Sequence, residues 1–126
     1  MENEMNTQRI LMLDAAMSGA AGLAMIAGAG VLAPWLNLPA PLLQIAGAIL
    51  IPWTIALALL ARGPRVSSTA LKAVISVNVL WVAASLAALF VLSPNGWGIA
   101  FVLAQAFAVA VFAMLQISAL KRAAAA

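Results

Sequence analysis

Four long blocks of apolar residues, separated by short polar or proline-rich stretches, dominate the chain: 11–33, 42–61, 71–92 and 97–120. At a rise of 1.5 Å per residue, helices of this length cross the hydrocarbon core of a bilayer, about 30 Å thick. The breaks carry helix-stopping chemistry. The first, PWLNLPAP at 34–41, holds three prolines and Asn37; each proline lacks an N–H and biases its predecessor away from the helical region. Gly63 and Pro64 stop the second block, any of Ser67, Ser68 and Thr69 suits the cap of the third, and SPNG at 93–96 is a turn by composition. The pattern predicts an all-α polytopic membrane protein, one domain over 1–126, with four transmembrane helices in an up-down-up-down bundle. The N-terminal MENEMNTQR is predicted to be a disordered or interfacial segment, and the first block is read as a retained span, because its apolar part is longer than a signal peptide's.

A faint repeat overlies this layout. Val31, Leu32, Pro34 and Arg62 recur 60 residues later as Val91, Leu92, Pro94 and Arg122. The chain therefore also reads as two tandem helical hairpins of the same orientation, related by a pseudo-twofold axis along the membrane normal.

Composition strengthens the membrane reading and narrows the chemistry. Of 126 residues, 67% are hydrophobic and 7% charged, and the mean hydropathy is +1.15, too few polar groups to coat a soluble globule. The absence of Cys rules out disulfides and thiolate metal sites, and the absence of His removes imidazole ligands. No residue pair supplies a nucleophile with its base, so no enzyme, metal or cofactor is expected.

Charge sets an expected orientation. Arg9 precedes the first span, Arg62, Arg65 and Lys72 flank the second link, and Lys121 and Arg122 follow the fourth span, whereas the other two links are uncharged. All six basic residues fall on one side of a four-span layout, which by the positive-inside bias places both termini in the cytoplasm. They are topology signals rather than a nucleic-acid patch, and nucleic acid is not an expected partner. Trp35 and Trp97 mark the opposite interface, while Trp53 and Trp81 lie deeper and need partners for their N–H groups.

Polar residues inside spans carry the candidate chemistry, because in lipid each must find a partner. Asp14 lies about four residues into the first span, near enough to its start to meet water, the helix dipole, or Arg9, Lys121 or Arg122. Ser18, Ala21 and Met25 fall within about 40° of it at 100° per residue. Asn78, Trp81 and Ser85 share a stripe of the third span, and Gln105, Phe112 and Gln116 one of the fourth. These faces are expected to turn inward, making Asp14, Ser18, Asn78, Trp81, Ser85, Gln105 and Gln116 a candidate polar seam or ion site. Ser18 with Gly22, and Ala24 with Gly28, have the small-xxx-small spacing of close helix packing, within the bundle or between protomers. Pro52 frees the carbonyl of Ala48 and is expected to bend the second span.

The early Asp14, APWL at 33–36, NVLWVAAS at 78–85, SPNGWG at 93–98, and FAMLQ at 112–116 followed by Lys121 and Arg122 resemble a group of small uncharacterised four-helix bacterial inner-membrane proteins with no assigned activity. Length, four spans and an intramembrane carboxylate in the first are also similar to the small multidrug-resistance transporters, from which the chain departs in having Asp rather than Glu, no Tyr, and a basic second link. The first resemblance implies a multi-pass protein of the bacterial inner membrane. The expected function is an accessory, scaffold or assembly subunit, packed against lipid and against a second copy or another membrane protein. The alternative is a small-solute or proton-coupled transporter using Asp14.

Overall fold

A computed structural model describes residues 6–125, and the side-chain surroundings of residues 6–123. Five helices follow in order: α1 (Thr7–Ala27), α2 (Ala29–Leu36), α3 (Ala40–Arg62), α4 (Ser68–Val91) and α5 (Gly96–Ala125). All but α2 are long and apolar enough to cross a membrane, and the chain is a multi-pass integral membrane protein. Residues 1–5 of the polar N-terminal segment, and residue 126, lie outside the described residues. In the described part of that segment the Asn6 side chain caps α1 through Arg9 N at 2.8 Å, and Thr7 to Arg9 are already helical.

The first block is not one helix. It is interrupted at Gly28, which sits at φ −97° and ψ 5° between α1 and α2. With Gly28 and Gly30 two residues apart, local helix propensity is at its lowest in the block, and α2, which follows the break, packs against α3 and α5. Pro34 is therefore inside α2 rather than ending the first span. The actual stop is Asn37, in the left-handed region at φ 55°, a conformation that Asn tolerates better than most residues. Helix α3 runs continuously through Pro52. Ser67 is the cap of α4, accepting from Ala70 N at 3.0 Å.

The long helices form two hairpins, α1 with α3 and α4 with α5, joined where α1 meets α5. The α1–α3 contact depends on glycines. A Cβ on Gly47 would lie 2.7 Å from the Gly22 carbonyl oxygen and 2.8 Å from Ile26 Cγ1, so only a bare backbone permits this approach.

An even number of spans puts the chain ends and the α3–α4 link at one end of the bundle, the terminal end, and the other two turns at the loop end. The loop end is clasped. Asn37 Nδ2 donates to Ser93 O at 2.6 Å, and Asn95 Nδ2 to Trp35 O at 2.8 Å. Asn95 Oδ1 accepts from Gly98 N at 2.9 Å to start α5, and the Trp35 and Trp97 rings meet at 5.8 Å.

Two apolar clusters fill the interior. At the terminal end Leu11, Leu57, Val74 and Ala119 draw all four long helices together. At the loop end Met25, Leu36, Leu43 and Val102 pack without any buried residue from α4. The buried residues of α4 are Leu71, Val74 and Asn78, all in its first half. Beyond Asn78 the helix stands away from α3, and the two never make a close backbone approach.

Candidate functional site

Helix α1 begins at Thr7, so Asp14 is two turns inside it, not in the first turn, and is 2% exposed. At that depth the helix-terminal dipole, which fades within a turn, contributes little. Neutral donors hold its oxygens. Asn78 Nδ2 donates to Oδ2 at 3.0 Å, Gln116 Nε2 to the same oxygen at 2.8 Å, and Ser18 Oγ, one turn on, to Oδ1 at 3.3 Å. Asn78 Nδ2 also donates to Gln116 Oε1 at 2.9 Å, closing a ring of three side chains from α1, α4 and α5. Asn78 and Gln116 are as buried as Asp14. The ring joins the two hairpins by hydrogen bonds within the membrane-spanning region.

The polar seam is two clusters rather than one. The second lies toward the loop end: Trp81 Nε1 donates to Gln105 Oε1 at 2.8 Å, Gln105 Nε2 to Ser85 Oγ at 2.8 Å and to Val102 O at 2.9 Å, and Ser85 Oγ to Trp81 O at 2.7 Å. Trp81 thereby gains the N–H partner its depth demands. Between the clusters is a cavity of about 80 Å³ lined by Ser18, Leu50, Trp53, Asn78, Trp81 and Val109.

Of the four small residues expected at helix contacts, Ser18 bonds to Asp14, and the other three have different surroundings. Gly22 faces Gly47 of α3, Gly28 is the hinge between α1 and α2, its virtual Cβ 2.6 Å from Ala24 O, and Ala24 borders an open cleft. That cleft, about 340 Å³, separates α3 from α4 in the loop-end half. Its walls include Ile45, Ala46, Ile49, Ala84 and Ala88, and Trp81, Ser85 and Gln105 are the polar residues that line it. Sequence reasoning missed it, because Ala and Ile look alike whether a neighbouring helix covers them or stands off. It missed the Asn37–Asn95 clasp for a related reason: both residues read as turn formers, and neither announces a partner 56 or 60 residues away.

Among the described residues no group of three or more His, Cys, Asp or Glu side chains could hold a metal ion. Comparison with protein-family models, curated proteins and solved structures finds no match to this chain, so the functional reading proceeds from geometry.

Proposed function

We propose that the protein is a small accessory, scaffold or assembly subunit of the bacterial inner membrane, acting through its helix faces and without catalytic chemistry. The observation supporting this reading is that Asp14, the one carboxylate in any span, has its oxygens engaged by Asn78, Gln116 and Ser18 in a bond set that joins the hairpins. What the bundle offers its surroundings is then surface: α4 has the smallest buried share of the four spans and turns Leu80 and Phe90 outward, Phe90 at 90% exposure. The six basic residues cluster toward the terminal end, and the positive-inside bias places that end in the cytoplasm. The partner is a second copy or another membrane protein. The chain has no Cys, so single cysteines at Leu80 and Phe90 give a clean cross-linking background in native membranes. A defined adduct, together with a stoichiometric complex in mild detergent, supports the proposal; a monomer with neither overturns it.

One observation favours transport as a second reading. Asn78 and Ser18 line a cavity beside Asp14, and no hydrogen bond among the described residues reaches Asn78 Oδ1. Solute-dependent proton flux in proteoliposomes, lost in a folded Asp14→Asn variant, would establish that reading and displace the accessory one.

A further inference from the structure

The cleft between α3 and α4 marks a broken symmetry. Two hairpins related by a pseudo-twofold axis would bring the α3 and α4 backbones together whenever they bring α1 and α5 together, yet only α1 and α5 approach closely, α3 and α4 meeting through side chains at the terminal end alone. Where the missing contact would be, an apolar cleft of about 340 Å³ opens sideways between the two helices, at the lower end of the range of small-molecule pockets. Ile45 and Ile49 on its α3 wall are 60% and 53% exposed.

The chemistry of the floor narrows the occupant. Trp81 has spent its indole N–H, Gln105 both amide hydrogens, and Ser85 its hydroxyl hydrogen. What remains is one lone pair on Gln105 Oε1 and one on Ser85 Oγ. The floor therefore offers acceptors and no donors. It satisfies a ligand carrying O–H and repels the oxygens of an ester, ether or phosphate. No carboxylate lines the cleft, and without one a cationic donor would be left unpaired at this depth.

Depth separates an alcohol from an ordinary phospholipid tail by one hydrogen bond. Gln105 is nine residues into α5, about 14 Å from its start and near the middle of the hydrocarbon layer. A phospholipid tail reaching that level presents its terminal methyl, which makes no use of the second lone pair on either oxygen. The occupant instead has its polar end deep and its apolar body toward the loop end. From Ser85 to Leu92 the α4 wall is about 10 Å long. An extended carbon chain advances about 1.2 Å per bond, so a chain of about eight carbons matches that wall in length.

We propose that this cleft is a binding site for a membrane-dissolved, uncharged alcohol of medium chain length, its hydroxyl donating to Gln105 Oε1 or Ser85 Oγ. The probe is octanol carrying a diazirine, photolysed with the full chain in proteoliposomes and mapped by mass spectrometry. Label is expected on Ala84, Ala88 and the facing stretch of α3. Unlabelled octanol should displace it about five- to tenfold better than heptyl methyl ether of equal length at equal membrane mole fraction, the factor one net hydrogen bond supplies. Gln105→Leu should reduce that preference toward unity, and Ala84→Phe, which touches none of the floor's hydrogen bonds, should exclude the label. Equal displacement by the ether in the parent protein, a comparison that needs no variant, overturns the proposal. So does label spread over lipid-facing Leu80 and Phe90 as heavily as over the cleft.

Discussion

Asp14 offers the sharpest test of how the bundle is held, because two substitutions separate its charge from its hydrogen bonds. In Asp14→Asn the new carbonyl oxygen can take the place of Oδ2 and keep both carboxamide donors, from Asn78 and Gln116. Its Nδ2 then faces Ser18 Oγ, which turns from donor to acceptor. All three contacts survive in neutral form, and the expected loss of stability is about 1 kcal/mol or less. Asp14→Leu preserves bulk but removes the acceptor, leaving Asn78 Nδ2 with Gln116 Oε1 alone and Gln116 Nε2 without its partner, both in residues at most 3% exposed. Three contacts at the intramembrane average of about 0.6 kcal/mol set a floor near 2 kcal/mol. Orphaned buried donors at about 1–3 kcal/mol each raise it toward 5 kcal/mol. Equilibrium unfolding of the full chain by SDS titration, followed by tryptophan fluorescence, measures both. An Asn variant as unstable as the Leu variant would show that the bundle depends on the charge, and a neutral Leu variant would show that the ring contributes nothing; either refutes the reasoning.

Gly47→Ala should cost about 1–3 kcal/mol in the same titration, because its Cβ would meet Gly22 O at 2.7 Å, whereas Gly30→Ala, with nothing within 4 Å, should be neutral or slightly stabilising. Asn95→Ala removes the α5 cap and the bond to Trp35 O; a loss of about 1–2 kcal/mol, with faster hydrogen exchange confined to residues 34–38 and 93–99, is the expected result. Reporters fused after Leu36 and Asn95 should score periplasmic, and those after Pro64 and Ala124 cytoplasmic; a periplasmic C-terminal fusion would contradict the expected orientation.

Much of the architecture is legible in the chain because lipid is an unforgiving solvent. A span must be about 20 apolar residues and must satisfy its own backbone, so four spans, their approximate limits and the segregation of charge follow from composition and punctuation alone. The same constraint exposes the polar seam: Asp14, Asn78 and Gln116 stand out in an apolar background, and helical periodicity turns them toward one another. Tertiary structure decides what periodicity leaves open. It breaks the first block at Gly28, whose two-glycine neighbourhood allows a hinge but does not require one. It divides the seam into a ring around Asp14 and a separate cluster around Gln105, because that division depends on the rotation and depth of three helices relative to each other. It also sets α4 against α5 rather than α3 beyond Asn78, opening the cleft. In hydrocarbon an apolar side chain gains nearly as much from lipid as from a neighbouring helix, so no pattern of Ala, Ile and Leu can state which faces meet; close packing at Gly22 and Gly47 and a few buried hydrogen bonds make that choice.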